Sequence, residues 1–461
     1  MTVEAPGFGQ DVPPAAAPSV SAQPWPAPKT AWRTLWILSL VLGLSQVDRN
    51  ILSLLLQPIK QDLKFNDAQM GILIGLAFSI IYLFLSFPLS RLSDRRSRKV
   101  MIAIGVAVWS LATAACGLTR SFWPMFAARA GVGAGEAVNA PATYSLLADS
   151  FPRDKLPRAL AILNVGFVGG TAISLILGGV VIAALAKVHV VLPILGALHT
   201  WQLVFFAVGL PGLLVSLLML TVTEPARRTV GSSISSTGAS ISEVFVFLWR
   251  NGRFWGCMFA SIFFTGVITY GTTNFRAAFF ARTYHWPGQQ YGIVTGLASL
   301  LVSPFALVAG TWLCERWNRK HHDGNVRAAV FANAISIPFT VAGPLMPAAW
   351  MSVICSATAA GLVLMAAPPL VAAMQSITPS NVRAQVNSLY LLMFSGITGI
   401  IGPAFIGWLT DLQHDETKLR YVMAASAAVL LPLATGIMFF AIKPFGVLIE
   451  RIKAEEVSAG S

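Results

Sequence analysis

The sequence predicts an all-α integral membrane protein with twelve membrane-spanning helices, arranged as two pseudo-symmetric six-helix bundles. The membrane assignment depends on composition, because 55% of the 461 residues are hydrophobic and only 11% are charged. Soluble globular proteins carry about 25% charged residues. Apolar runs of roughly 20 residues, which is the length that crosses a bilayer, recur along the chain. So little charge excludes an ordinary soluble enzyme, a disordered scaffold and a collagen-like fibre.

Residues 1–30 are predicted to form a disordered tail before the first span. This segment holds seven prolines and no basic residue before Lys29. A secretory signal peptide would need a basic start followed by a short apolar core, so the segment does not read as one. Lys29 and Arg33 stand just before the first long apolar run, which is typical of a cytoplasmic flank.

The rest of the chain divides into two six-span halves joined by a polar linker. The first half, 31–223, has predicted spans at about 32–57, 68–91, 99–119, 122–149, 158–184 and 199–223. The linker, 224–253, contains Ile241, Val244, Phe245 and Leu248, whose spacing predicts an amphipathic helix. The second half, 254–443, has predicted spans at about 254–282, 288–313, 326–348, 350–376, 385–410 and 419–443. Residues 444–461 are predicted to be a cytoplasmic tail.

The distribution of basic residues predicts the orientation. With both termini placed inside, the cytoplasmic segments hold 22 of the 32 Lys and Arg residues and the external loops hold seven. Because cytoplasmic loops carry an excess of Lys and Arg, we expect both termini to be cytoplasmic.

An internal repeat supports the division into halves. The segment 90–99, after span 2, and the segment 311–320, after span 8, share leucine, an acid, arginine and a final Arg-Lys at matching positions. Two six-span repeats with binding groups between them near the midplane are an architecture of secondary transporters.

The same segment carries a resemblance to a known family. Ser90-Arg-Leu-Ser-Asp94-Arg95-Arg-Ser97-Arg98-Lys99 resembles the signature G-x-L-x-D-R-x-G-R-[RK] of the major facilitator superfamily. Within it, the chain is similar to bacterial members of the Spinster type, which transport lysolipids and sphingolipids. The residues that carry this likeness are Asp48-Arg49, Asp67-Ala-Gln69-x-Gly71, the run Arg129 to Ala137, Ala148-Asp149-Ser-Phe151-Pro152, Gly209-Leu-Pro211-Gly212 and Glu224-Pro225.

Ionisable residues inside predicted spans are the strongest functional candidates, since each costs on the order of 2.5–3.5 kcal/mol at the bilayer centre. The first half has Asp48, Arg49, Arg129 and Glu136. Arg129 and Glu136 are two helical turns apart and face the same way, with Asp48 between them in depth. We therefore expect one cation between two acids, with Asp48, Glu136 and Arg129 coupling transport to protons, as the resemblance also implies. The alternative is a structural ion pair that only fixes helix packing.

The candidate substrate-binding residues are Arg129, Arg49, Asn274, Arg276 and Tyr390. Arg49 points about 100° from Asp48, towards either the cavity or a neighbouring span. Arg276 either binds a phosphate or carboxylate or extends its charged end to the bilayer surface. The second half offers few polar anchors, which favours an amphipathic, lipid-like anion as substrate. An organic anion or sugar acid and a hydrophobic drug remain alternatives, as does a receptor without transport activity.

The signature loop supplies candidate gating residues. Asp94, with Arg95, Arg98 and Lys99, can accept hydrogen bonds from a neighbouring helix N-terminus and close the cytoplasmic side. The resemblance implies this role, and Glu315, Arg316 and Arg319 would mirror it in the second half. The alternative for both copies is that these basic residues serve only as positive charge on the cytoplasmic side of the membrane.

The sequence gives no sign of a cofactor. The four cysteines are isolated, no Walker motif is present, and no catalytic set or metal-ligand cluster is visible. We therefore expect a transporter rather than an enzyme, located in a bacterial inner membrane, acting as a monomer. Its expected partners are a small-molecule or lipid-like substrate, protons and membrane lipids, but not nucleic acid.

Overall fold

The fold is helical almost throughout. The computed structural model describes residues 25–152, 154–192, 196–227, 241–379 and 382–460. Most of the predicted disordered tail, residues 1–24, lies outside these ranges, as does 228–240 of the linker.

The first half forms six spans. Its helices are Pro28–Leu54, Leu56–Leu63, Asp67–Ile74, Leu76–Arg95, Arg98–Cys116, Phe122–Glu136, Asn139–Ser150, Leu156–Leu185 and Thr200–Leu220. A short antiparallel hairpin, Val190–Leu192 with Gly196–Leu198, lies between spans 5 and 6. The sequence pattern gave no indication of this hairpin, because its strands are only three residues long.

The second half repeats the six-span plan. The linker helix Ile241–Arg250 precedes it. The helices of the half are Gly252–Tyr284, Gly288–Asn318, Gly324–Ala342, Ala349–Met365, Ala367–Ile377, Arg383–Leu391, Thr398–Asp411 and Leu419–Gly460. Short 3₁₀ turns occur at Gly343–Leu345 and Glu416–Lys418, and a π-helical turn at Leu392–Ile397 lies inside span 11.

The count of twelve spans depends on span 4. In the described ranges, eleven helical segments are long and apolar enough to cross a membrane without interruption. Span 4 instead consists of Phe122–Glu136 and Asn139–Ser150, separated by a two-residue turn. Pro141 has no N–H to donate to the carbonyl of Ala137, and the glycines before it weaken the helix. The predicted twelve-span fold is confirmed, with a break directly after Glu136.

The two halves meet at one end of the molecule. A single buried apolar cluster there contains Leu54 and Leu73 of the first half together with Phe280, Ile406 and Met423 of the second. We call this the closed end; it carries the loops between spans 1 and 2 and between spans 7 and 8.

At the opposite end, the open end, the apolar side chains of the halves are exposed. Phe84 and Phe87 of span 2, Val165 of span 5 and Leu391 of span 11 are all more than half exposed. Separate apolar clusters fill the two halves here, around Trp109 in the first and around Trp255 and Phe445 in the second. The closed end therefore holds the halves together while the open end leaves them apart.

Close helix packing at the break depends on glycine. A Cβ atom at Gly133 of span 4 would overlap the backbone carbonyl oxygen of Phe78 in span 2. Small residues let membrane helices approach in this way.

We expect Gly133→Ala to lower the free energy of unfolding by about 1–3 kcal/mol, because the added methyl must push two backbones apart. Thermal unfolding of the purified protein in detergent measures this. Gly169→Ala is the matched control, since a Cβ there meets no atom within 4 Å. Equal melting temperatures for the two variants would contradict the packing argument.

Candidate functional site

An ion pair between spans 1 and 4 forms the centre of the candidate site. Arg49 contacts Oε2 of Glu136 through Nη2 at 2.7 Å and Nε at 2.8 Å. The guanidinium also lies over the rings of Phe78, at 4.8 Å from the centroid, and Tyr82, at 5.4 Å. The Arg49 side chain is 36% exposed, whereas that of Glu136 is 1% exposed. The cation of this pair therefore remains accessible while its carboxylate is buried.

The break in span 4 gives this pair its electrostatic setting. Glu136 is the last residue of Phe122–Glu136. A negative charge is unfavourable at a helix C-terminus, where the helix dipole is also negative. Glu136 therefore depends on the Arg49 cation for compensation.

Asp48 and Arg129 lie behind this pair and are almost fully buried. Nη1 of Arg129 donates to the backbone carbonyl of Asp48 at 3.4 Å. Within the described ranges, both carboxylate oxygens of Asp48 and Nε of Arg129 lack a hydrogen-bond partner. The Asp48 side chain lies next to Trp109 and Thr113 of span 3.

This geometry differs from the expected arrangement, in which one cation, Arg129, lies between two acids, Asp48 and Glu136. Arg49, rather than Arg129, forms the ion pair with Glu136. The reason is the 100° rotation between adjacent helix positions. It directs Arg49 towards span 4 and Asp48 towards span 3. The site therefore contains two carboxyl groups and two guanidinium groups, of which one of each is paired.

A cavity of about 380 Å³ lies between the halves. Asn50, Ser53 and Leu175 line it from the first half, and Arg276, Tyr291 and Phe394 are part of its larger wall from the second. In the described part of the chain, no carboxylate lies within ion-pair distance of Arg276. The structure thus places Arg276 in the wall of a cavity between the halves, as an unpaired cation.

The other two predicted substrate residues lie close by. Asn274 accepts a 2.7 Å hydrogen bond from Oγ of Ser53 and so joins the two halves. Tyr390 lines a separate cavity of about 50 Å³ and stacks on Phe394, whose ring is shared with the larger cavity. Of the five predicted substrate residues, Arg276 lines the larger cavity, whereas the other four are not among its described lining residues: Arg49, Arg129, Asn274 and Tyr390.

Most of the polar lining of the cavity consists of residues that were not predicted from the sequence. Hydroxyl groups of the second half line the cavity at Thr269, Thr272, Thr273, Thr295, Ser299, Ser303 and Thr340. Residues 295, 299 and 303 recur every four positions along span 8, which is the signal that could have revealed them. The expected scarcity of polar anchors in the second half is therefore not what the structure shows.

A second missed feature is an ionic cluster at the closed end, formed by Lys60, Asp67, Arg282, Asp411 and Glu416. Arg282 donates to both carboxylate oxygens of Asp67, at 2.7 and 2.8 Å, and Lys60 contacts Asp67 at 2.9 Å. Asp411 accepts from the backbone N–H groups of Asp67 and Ala68, at 2.9 and 2.7 Å, and so caps the start of span 2. The cluster joins the halves, because Lys60 and Asp67 belong to the first and the others to the second.

The predicted gating residues lie at the open end. Arg98 is buried and forms ion pairs with Asp149 and Glu224, all within the first half and the linker. Lys99 donates to the carbonyl of Leu220, and Arg95 is exposed. Asp94 lies in Leu76–Arg95, but its side chain is outside the described part of the structure.

The second copy of the motif is organised differently. Glu315, Arg316 and Arg319 are exposed, and no described residue forms an ion pair with them. Arg316 lies over the Trp312 ring. The sequence repeat therefore does not produce the same contacts in both halves.

Glu224 caps the helix that follows the signature loop. Its carboxylate accepts from the Ser97 hydroxyl and from the backbone N–H and Nε of Arg98. Partial burial favours the neutral form of Glu224, but these hydrogen bonds outweigh burial and hold its pKa below the ordinary value of 4.5. The carboxylate therefore stabilises the fold above pH 4.5, and this contribution is lost as the pH falls through the lowered pKa.

We expect Glu224→Gln to lower the free energy of unfolding by about 1 kcal/mol at pH 7, with the difference from wild type shrinking as the pH falls below 4.5 and vanishing once the Glu224 carboxylate is protonated in the folded protein. Melting temperatures measured across this pH range test it. Glu315→Gln, an exposed carboxylate without an ion pair in the described structure, serves as the control. A difference that persists unchanged at low pH would contradict the proposed cap.

We expect Arg282→Ala to destabilise the closed end by about 3 kcal/mol, because it leaves the buried Asp67 carboxylate with Lys60 alone. Spin labels at the exposed positions Lys64 and Lys418, one on each half, report the separation by pulsed electron resonance. The distance distribution should move to longer values. Arg420→Ala is the control, since Arg420 donates to the carbonyl of Leu345 within its own half. An unchanged distance distribution in Arg282→Ala would refute the role of Arg282 in holding the closed end together.

Within the described ranges, no group of three or more His, Cys, Asp or Glu residues is placed to bind a metal ion.

Comparison with known proteins places this geometry in a family. The model of the Major Facilitator Superfamily matches residues 38–403. The chain is 24% identical over 392 residues to an MFS-type efflux pump of Mycolicibacterium smegmatis, which covers 84% of this chain and 86% of the relative. It is 28% identical over 297 residues to human Protein spinster homolog 3, covering 61% and 53%. It is 25% identical over 229 residues to a probable L-galactonate transporter of Escherichia coli, covering 47% of each.

The fold also matches a solved structure. A crystal structure of a bacterial homologue of the human lysosomal transporter Spinster, inward-facing and unoccupied, superposes with a TM-score of 0.76 at 22% identity. The match covers 92% of this chain and 98% of that one. The chain spans about half the length of the spinster and galactonate relatives, and most of the efflux pump. The chain is a multi-pass membrane protein of the major facilitator superfamily, similar to its Spinster-type members.

Proposed function

We propose that the protein is a proton-coupled secondary transporter that moves an amphipathic, lipid-like anion by alternating access. The observation that carries the proposal is Arg49, a partly exposed cation whose carboxylate partner, Glu136, is buried. Membership of the major facilitator superfamily supports a secondary transporter of small molecules. The finer statements, which concern substrate and coupling ion, depend on the charges of the site.

The proposed coupling follows from competition for Arg49. An anionic head group that binds Arg49 displaces Glu136 from its cation. A carboxyl group left without a cation in a low-dielectric site binds a proton more readily. Substrate binding would then favour protonation of Glu136, and by thermodynamic linkage protonation of Glu136 would favour substrate binding to the same extent.

Asp48 and Arg129 are proposed as the second stage of this exchange. Arg129 contacts the Asp48 backbone rather than its carboxylate, so the carboxylate is free to gain or lose a partner when spans 1 and 4 move. The alternative, in which the four charges only fix helix packing, leaves three carboxylate oxygens and one guanidinium nitrogen of these residues buried without hydrogen bonds in the described structure. Such an arrangement costs stability without gaining specificity.

The cavity supports an anion as substrate. Arg276 supplies a cation without an acidic partner, and the cavity walls between the polar groups are apolar side chains of both halves. We propose that the head group binds Arg276 first, with its hydrocarbon tail towards the open end, and reaches Arg49, which does not line this cavity in the described structure, when the halves move.

The proposal also covers the gates at the two ends of the molecule and its location in the membrane. The closed-end cluster and the signature loop, with Asp94, Arg95, Arg98 and Lys99, are proposed as gates at opposite ends, with Glu315, Arg316 and Arg319 assisting the second. We propose that the open end and both termini face the cytoplasm of a bacterial inner membrane, because the predicted cytoplasmic segments carry most of the Lys and Arg residues. We propose a monomer as the working unit, because each half of the site belongs to the same chain.

A second candidate substrate is a polyhydroxylated organic anion. The hydroxyl groups along spans 7 and 8 favour it, since they can bind several hydroxyls of a sugar acid. The similarity to a probable L-galactonate transporter agrees with this alternative.

Flux into proteoliposomes under an imposed pH gradient tests both candidates. The substrates to compare are a lysophospholipid, a sphingoid phosphate, a hexuronate and a hydrophobic dye. We expect the lipid-like anions to move faster when the gradient is present. Transport of the dye alone would indicate a hydrophobic drug exporter, and no flux of any substrate would favour a receptor.

We expect Asp48→Asn and Glu136→Gln to abolish the effect of the gradient, so that the ratio of flux with and without it falls to about 1, since no group remains to couple the two events. Asp154→Asn, an exposed carboxylate at the open end, should keep the wild-type ratio. An unchanged pH dependence in both test variants would remove proton coupling through these carboxyl groups from the proposal.

A further inference from the structure

Three threonines in the cavity wall use their hydroxyl hydrogens within their own helices. Thr272 donates to the carbonyl of Ile268 at 2.7 Å, Thr295 to that of Tyr291 at 2.6 Å, and Thr340 to that of Ser336 at 2.8 Å. Since a hydroxyl group has one hydrogen, each oxygen is left only with its capacity to accept.

These acceptors share a cavity wall with Arg276, which has no ion-pair partner among the described residues. Thr272 is one helical turn before Arg276 on the same face of span 7, and Thr340 comes from span 9. Thr272, Arg276 and Thr340 together line both the main cavity and a small neighbouring cavity beside Phe279. Two helices therefore contribute hydrogen-bond acceptors to the same cavity wall as the Arg276 side chain.

A simple anion does not fully match this wall. Its negative charge is compensated by Arg276, but it brings no hydrogen for the threonine oxygens, which lose water when the ligand enters. Leaving a buried polar atom unpaired is unfavourable, so a ligand that satisfies the acceptors is preferred over one that does not.

We infer that the cavity selects anions that carry a hydrogen-bond donor, a hydroxyl or an amide N–H, next to the anionic group. The anionic group binds Arg276, and the neighbouring donor binds the oxygen of Thr272 or Thr340. This inference rests on the proposed function for the anion site, and it adds a requirement that holds equally for a lipid-like head group and for a hydroxy acid.

Pairs of ligands that differ by one hydroxyl group test it on the full-length protein in detergent. The first pair is 1-hexanoyl-glycerol 3-phosphate and its 2-deoxy analogue, and the second is 2-hydroxyhexanoate and hexanoate. Isothermal titration calorimetry should show about fivefold tighter binding of the hydroxylated member, the effect of one net hydrogen bond. The measurement needs neither transport nor proton coupling.

Substitutions in the cavity wall test which residues produce the preference for the hydroxylated ligand. Thr272→Val and Thr340→Val together should reduce the preference to about 1, because valine keeps the shape and removes the acceptor. Thr340→Ser should retain the preference. Thr311→Val is the matched control and should bind as wild type, because the Thr311 hydroxyl donates to the carbonyl of Leu307 in the same way but does not line this cavity. Arg276→Gln should weaken both members of a pair alike.

The outcomes separate this inference from the function on which it rests. Equal binding of both members by the wild-type protein overturns the inference while the anion site stands. A preference that survives the double valine variant overturns it as well. If no member of either pair binds, the proposed anion site fails and the inference fails with it.

Discussion

The bilayer interior solvates charge poorly, so a charged side chain inside a span needs a partner of opposite charge. The ion pair between Arg49 and Glu136 supplies such a partner, and the rest of the candidate site is arranged around it. Glu136 ends a helix in mid-membrane, where both the low dielectric and the helix dipole oppose a negative charge. Arg49 supplies the compensating cation and is itself held over the rings of Phe78 and Tyr82. This contact links span 1 to spans 2 and 4, together with the hydrogen bond from Arg129 to the Asp48 carbonyl and the apolar cluster around Trp109.

The break in span 4 links this pair to the rest of the first half. Gly133 brings span 4 against the backbone of span 2, and Pro141 stops the helix from continuing past Glu136. Together they place a carboxylate at the break between the two parts of span 4. A change in the charge compensation of Glu136 therefore acts where the helix is already interrupted, and there a local exchange of charge can become a movement of helices.

The two ends of the molecule use the same physical device in different ways. At the closed end, Asp411 of span 11 caps the start of span 2, and Arg282 fixes the Asp67 carboxylate across the halves. At the open end, Glu224 of the linker caps the start of span 3, within the first half. A cap between halves closes the molecule, whereas a cap within one half leaves the open end free to separate. The cavity and Arg276 lie between these ends, beside the hydrogen bond from Ser53 to Asn274 that also crosses the halves.

The sequence by itself determined the membrane fold, the two halves and the small set of intramembrane charges, because apolar length and isolated ionisable residues are properties of local composition. It located Asp48, Arg49, Arg129 and Glu136 but not their partners, since pairing depends on the rotation of one helix against another. Only the tertiary structure paired Arg49 with Glu136, joined Arg282 to Asp67 across 215 positions of sequence, and brought threonines of spans 7, 8 and 9 into one cavity wall with Arg276. These contacts connect residues distant in the chain, and no spacing along it specifies them.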